Sequence, residues 1–135
     1  MEIRIAPEHK FKSGIYKINF GTKFYIGYAH DLDNRRRKHQ SEINALLNGA
    51  TMDGRNGYYR HIVSFIQRYP DITFGEMELL HECYFENRMH MESIEEEWIL
   101  KLNTSGMCLN CSYPQGMTDD EMRQFIAGTF NYRQW

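Results

Sequence analysis

The sequence predicts an α+β fold, and three observations carry that reading. Two runs rich in Ile, Phe and Tyr flank a Gly-Thr turn at residues 21 and 22, a basic run of helical periodicity follows directly, and two more helical patterns bracket one further strand-like run. At 135 residues the chain holds one core without disulfide staples.

Residues 1–12 read as an N-terminal arm in which Glu2-Ile3-Arg4-Ile5 forms a short edge strand before Pro7. The hairpin comes next. Tyr16 and Tyr25 are equidistant from the Phe20/Gly21 junction, so a symmetric even-length turn there makes them a directly opposed cross-strand pair. Asp31 or Asp33 starts the first helix near Leu32, and Asn48-Gly49 stops it. On a ~100° wheel Leu32, Ile43, Leu46 and Leu47 form its buried stripe. His39 falls inside that stripe, Arg35 lies at its edge, Arg36 also leans toward it, and Arg37 and Lys38 point to water.

Residues 50–57 are polar and turn-forming, hence a loop. A second amphipathic helix runs from about Tyr58 to Tyr69, where Pro70 ends it. Residues 72–84 read as the third strand, with a parity change that predicts a bulge or kink near Gly75; Glu76, Glu78 and Glu82 form a solvated face. The third helix covers residues 91–102, with Met91, Ile94, Trp98, Ile99 and Leu102 as its apolar stripe. Among its four carboxylates Glu95 falls inside that arc, about 40° from Met91 on a ~100° wheel, while Glu92, Glu96 and Glu97 fall outside. A carboxylate turned into a core needs a metal ion or a cationic partner; a wider or slightly rotated stripe would instead leave Glu95 at the solvent edge, and the residues alone do not choose between the two. Residues 113–135 read as a tail, with a capping box at Thr118-Asp119-Asp120-Glu121 opening a short helix to about Ala127. Its large apolar side chains imply docking, on the same domain or on a second copy, and favour a homodimer.

No apolar run reaches transmembrane length and no signal peptide opens the chain, which with three cysteines points to the cytoplasm and to no membrane partner. The net charge of −2 hides an asymmetry: residues 1–68 carry 12 Lys/Arg against 6 Asp/Glu, giving +6, and residues 69–135 carry 4 against 12, giving −8. The N-terminal half is therefore the side suited to phosphate. Cys108 and Cys111 form a CxxC, with His81 and Cys83 upstream; a single CxxC is a weak zinc signal, and buried thiols are the simpler reading.

Taken singly, a strand tyrosine is core, an arginine-rich turn is a solvated face and a lone histidine on an apolar stripe is structural. Together they carry a resemblance. Gly14-Ile15-Tyr16, Tyr25-Ile26-Gly27, Arg35 and His39 resemble the opening signature of the GIY-YIG nuclease family, including the spacing from the second tyrosine to the arginine and histidine. Glu95, three residues before Trp98-Ile99, and Asn110 repeat the later spacings, so the likeness extends over residues 13–112 as a single nuclease-like domain.

The resemblance implies a small central three-stranded antiparallel sheet flanked by helices, and a standalone, phage- or restriction-like DNA endonuclease that hydrolyses phosphodiester bonds. It implies Tyr16, Tyr25, Arg35, His39, Glu95 and Asn110 as catalytic residues and Glu95 as the ligand of one Mg²⁺ or Mn²⁺ ion, with no organic cofactor. In that scheme Arg35 clamps the phosphate, Tyr16 or His39 accepts the water's proton, and Tyr25 and Asn110 order the site. Some members carry a second histidine where this chain has an amide near Asn56. Specificity would come from the loop around Met52 to Asn56, the second helix, the arm or dimer geometry. The alternative is a catalytically inactive nucleic-acid- or protein-binding domain of the same fold.

Overall fold

The computed structural model describes residues 1–54, 56–102 and 107–110. Its elements are β1 (Glu2–Ile5), β2 (Gly14–Phe20), β3 (Lys23–Ala29), α1 (Leu32–Leu47), α2 (Arg60–Arg68), β4 (Phe74–Glu82) and α3 (Arg88–Leu102), with single 3-10 turns at Pro7–His9 and Gly57–Tyr59. The sheet is four-stranded and mixed, in the order β1-β4-β2-β3. It is not the three-stranded antiparallel sheet expected: β2 pairs antiparallel with both β3 and β4, and the N-terminal segment adds a fourth strand parallel to β4, with Ile3 opposite Gly75.

The reason lies in α1. Arg36, Gln40 and Asn44 recur at helical spacing along one side of that helix and bond the backbone of residues 1–3. Arg36 donates to the Ile3 carbonyl at 3.1 Å, the Gln40 side-chain oxygen accepts from the Ile3 N–H at 2.7 Å, and Asn44 donates to the Met1 carbonyl at 2.8 Å. These bonds satisfy backbone groups on an edge that would otherwise be bare. Ile3 itself is fully buried in the core.

The hairpin closes one position later than its symmetry suggests. Gly21 adopts φ 62°, a conformation glycine enters at little cost, and the two-residue loop Gly21-Thr22 pairs Phe20 with Lys23. Ile18 therefore faces Tyr25 and Tyr16 faces Gly27. The two phenols are not opposed; they are diagonal neighbours on one face, with ring centroids 6.5 Å apart. The irregularity in β4 also moves from its expected place at Gly75. Ile15 pairs with His81 and Tyr16 with Leu79, so Leu80 is the extra residue.

The two faces of the sheet bury separate clusters. Tyr16, Ile18, Phe20 and Met77 pack with Leu32, Ile43 and Leu46 of α1 and Ile62, Val63 and Ile66 of α2. Ile15, Phe24, Ile26 and Tyr28 face the other way and pack with Ile99 and Cys108, with Ile94 and Trp98 against them. β3 is thus an edge strand with α1 on one side and α3 on the other. α1 begins and ends as the sequence requires: Asp31 caps it by accepting from the Asn34 N–H at 3.0 Å, and Gly49 follows its end at φ 99°. α3 starts earlier than expected, at Arg88 instead of Met91, and α2 starts later, at Arg60, after a 3-10 turn that holds Tyr58 and Tyr59. Among the described residues no helix is long and apolar enough to cross a membrane. The expected tail helix and its docking lie outside the described residues, as does Cys111.

Candidate active site

At the β3 edge, where the two helical layers meet, a cleft of about 360 Å³ is lined by Tyr16, Tyr25, Gly27, Tyr28, His30, Arg35, Phe85, Glu86, Arg88, Met91 and Glu95. Four expected residues, Tyr16 of β2, Tyr25 of β3, Arg35 of α1 and Glu95 of α3, are lining residues of this single cleft. His39 stands immediately behind them.

Gly27 makes this convergence sterically feasible. A Cβ there would overlap the Tyr16 hydroxyl and lie 2.7 Å from the ring carbon that bears it, so the bare backbone opposite Tyr16 is what admits the phenol. The ring is fully buried, and its hydroxyl lies 2.5 Å from His39 Nε2. His39 is buried in turn, and its Nδ1 lies 2.6 Å from the Tyr59 hydroxyl. A neutral imidazole has one N–H and one lone pair, so one phenol donates to it and the other accepts from it. Tyr25 packs edge-on against His39 with centroids 5.6 Å apart, completing a cage of three phenols. Tyr59, on the turn before α2, has no place among the residues expected from the sequence. The expected second helix begins on its neighbour Tyr58, and nothing in the sequence sets Tyr59 apart from a core aromatic.

The charges of the cleft follow from burial. Desolvation holds His39 down to about 3, helped by the positive charges of Arg35 and Lys38, so it is neutral at neutral pH. Desolvation also raises Tyr16 above the ordinary phenol value, opposed by the neighbouring Arg35 guanidinium and reinforced by Glu95. Tyr25 is raised well above its ordinary value, first by burial and then by Tyr16 and Glu95. Glu95 is lifted to about 7, chiefly by burial, then by Glu92 and Glu96, with Arg35 pulling the other way. Glu95 lines the cleft as the helical wheel predicts and Glu92 and Glu97 are exposed, but Glu96, expected outside the stripe, is half-buried like Glu95.

The structure also separates Arg35 from Arg36. Arg36 turns to Asp33, with nitrogen and oxygen 2.9 Å apart, and to the Ile3 carbonyl, so it serves the β1 edge. Arg35 alone of the two reaches the cleft. Asn110 is buried but does not line the cleft. Its Oδ1 accepts from the Ile26 N–H at 2.9 Å and its Nδ2 donates to the Ile26 carbonyl at 2.7 Å, clamping the outer edge of β3 between Tyr25 and Gly27. Beside it Leu109 N–H donates to the Phe24 carbonyl at 2.7 Å. Asn56 is not a lining residue either; its amide closes its own loop, accepting from Asp53 N–H at 2.7 Å and donating to the Thr51 carbonyl at 3.3 Å.

Among the described residues no group of three or more His, Cys, Asp or Glu gathers to hold a metal. Two carboxylates line the cleft, the exposed Glu86 and the half-buried Glu95, and neither makes an ion pair within 4.0 Å among the described residues. That suits a hard, mostly hydrated ion such as Mg²⁺, which takes one or two carboxylates and keeps its waters, and not a protein-caged ion such as structural zinc.

No family profile matches the chain, and no curated protein matches it. Among solved structures, the catalytic domain of homing endonuclease I-TevI is similar, with a TM-score of 0.57 and 22% sequence identity over 74% of this chain and 98% of that one. With the hairpin, the helix that follows it and the third helix all converging on one cleft, this likeness establishes that the chain has the GIY-YIG fold.

Proposed function

We propose that this protein is a divalent-metal-dependent endonuclease that hydrolyses DNA phosphodiester bonds. The observation that carries the reading is the convergence of Arg35 from α1 and Glu95 from α3 on one cleft with the phenols of the hairpin. The fold shared with the catalytic domain of a homing endonuclease supports DNA as the substrate.

Hydrolysis needs an oriented water, a proton acceptor and neutralisation of charge as the phosphorus becomes five-coordinate. Arg35 supplies a planar, bidentate donor for two phosphate oxygens and holds the scissile group at the cleft floor. Tyr16 orients the attacking water through its hydroxyl and hands on a proton to His39 Nε2, which is held neutral and therefore able to accept. An arriving phosphate offsets the Arg35 charge that helps to depress His39, so the imidazole becomes a better base when substrate is in place. Tyr59 holds the imidazole by its far nitrogen. Asn110 acts as a positioning residue, through the backbone of Ile26 that lies between Tyr25 and Gly27. Glu95 is the ligand for one Mg²⁺ or Mn²⁺ ion, which when bound supplies positive charge to the phosphate and leaving oxygens.

Plasmid cleavage with Mg²⁺ or Mn²⁺ tests the reading. Wild type nicks or linearises the DNA, and Glu95→Ala and Arg35→Ala each lose at least about 100-fold in rate. Failure of wild type to cut with any divalent ion, or normal cutting by both variants, overturns the assignment in favour of a non-cleaving binding domain.

A further inference from the structure

We propose that the outer wall of the cleft is a stacking surface for an unpaired nucleobase beside the bound phosphate, so that the preferred substrate is DNA with unstacked bases: a single strand, a bulge or a branch. The proposal rests on the nuclease reading above and adds the class of substrate to it.

Arg35 and Glu95 account for a phosphate and a cation, but the wall on the α3 side is built differently. Tyr28, His30 and Phe85 line it. The rings form a connected series from the cleft outward: Tyr28 to Phe85 at 5.3 Å, Tyr28 to His30 at 5.2 Å, His30 to Tyr84 at 4.6 Å and Phe85 to His90 at 4.8 Å between centroids. The inner members are anchored. The Phe85 N–H donates to the Tyr28 hydroxyl at 2.8 Å, tying the connection between β4 and α3 to β3, and the Ser13 hydroxyl donates to the His30 carbonyl. The wall is open to solvent at Tyr84, which is 62% exposed, and at His30 and His90, which are exposed too.

An aromatic face does nothing for a phosphate oxygen and a great deal for a base, because every base has a π-face. In an intact duplex both faces of each base are covered by its neighbours, so only an unpaired or splayed base can use such a wall. Arg88 stands at the same mouth, exposed and shared with Glu92 at 2.8 Å, where it can move to the backbone of an incoming strand. The cleft volume also exceeds what one phosphate needs. Aromatic rings with exposed surface beside a cationic phosphate subsite are the combination by which single-stranded DNA is held without regard to sequence.

The test uses the full chain in metal-free buffer with oligonucleotide duplexes of equal length, one fully paired and one carrying a single unpaired 2-aminopurine. Wild type quenches the 2-aminopurine fluorescence and binds the bulged duplex at least about tenfold more tightly than the paired one. Tyr84→Ala and His30→Ala each reduce that ratio severalfold, and Tyr84→Phe keeps it. Equal affinity of wild type for the two duplexes, or an unchanged ratio in both alanine variants, overturns the proposal. Cleavage with Mg²⁺ is read separately on the same duplexes. Selective quenching without cleavage under any metal retains the stacking wall and removes the nuclease reading; cleavage without a binding preference does the reverse.

Discussion

The Tyr16 hydroxyl and His39 Nε2 lie 2.5 Å apart, although 23 residues separate them and each sits on a different element. The other ring nitrogen of His39 is held by Tyr59, so a buried neutral imidazole is fixed at both ends by phenols. This chain of buried bonds gives the cleft its order.

Tyr59→Phe removes the hydroxyl at His39 Nδ1 together with that hydroxyl's bonds to the Tyr58 and Glu42 side chains. The ring still packs, so the expected loss of stability is about 1–2 kcal/mol for the orphaned buried nitrogen. The cleavage rate is expected to fall by about 10- to 100-fold, as it does when an orienting partner of a functional histidine is removed. Thermal melts and plasmid cleavage measure both; a cleavage rate equal to wild type would show that Tyr59 is packing alone.

Arg35 and Arg36 are adjacent and are expected to fail in different ways. Arg36→Ala loses the bonds to Ile3 and Asp33, destabilising the protein by about 1 kcal/mol while cleavage at temperatures below the melt is retained. Arg35→Ala loses its bond to the Tyr16 hydroxyl, which costs about 1 kcal/mol, and loses cleavage even well below its melt. If the two variants exchange these behaviours in urea titration and cleavage assays, the separation of the arginines is wrong.

Gly27→Ala places a methyl group on the Tyr16 hydroxyl. Overpacking of this kind costs about 1–3 kcal/mol, and the displaced phenol leaves His39, so cleavage falls with stability. In a Tyr16→Ala background the added methyl meets open space. The two substitutions should therefore be less than additive in a double-mutant cycle, and strict additivity would sink the steric account.

Glu95 and His39 give stability opposite dependences on pH. Glu95 is raised from 4.5 to about 7 in the folded state, so its contribution is fully present below 4.5 and is lost as pH rises through 7. Glu95→Gln is expected to melt higher than the metal-free wild type at pH 8, by an amount on the order of 1–3 kcal/mol, while losing cleavage. For the same reason the rise in melting temperature caused by Mg²⁺ should grow from pH 5 to pH 8. His39 is depressed from 6.5 to about 3, so its contribution is present above 6.5 and is lost as pH falls toward 3. His39→Gln should flatten the acid limb between pH 6.5 and 4. Differential scanning calorimetry across pH 4–8 reads both limbs, and a limb unchanged in the matching variant would remove that group as its cause.

Much of the site was legible because helical periodicity is local. The wheel that starts at Leu32 puts His39 in the buried stripe, and the wheel that starts at Met91 turns Glu95 inward; both hold in the fold. The same arithmetic left Arg36 beside Arg35 as an equal candidate, because a helix shows a face without showing what lies against it. Only β1, seated along Arg36, Gln40 and Asn44, separates the two.

The sequence by itself determined that three helices follow the hairpin and the loops, where α1 begins and ends, and that His39 and Glu95 turn inward, because those depend on neighbours three and four positions away. The tertiary structure decided the hairpin register, the parallel seat of β1, the bulge at Leu80, the clamp of Asn110 on Ile26 and the meeting of Tyr59 with His39. In the hairpin, the left-handed Gly21 moved the turn by one residue and set Tyr16 over Gly27 instead of opposite Tyr25. The other contacts join segments 20 to 84 residues apart, and no local preference records which distant backbone a strand or side chain meets once the loops have closed.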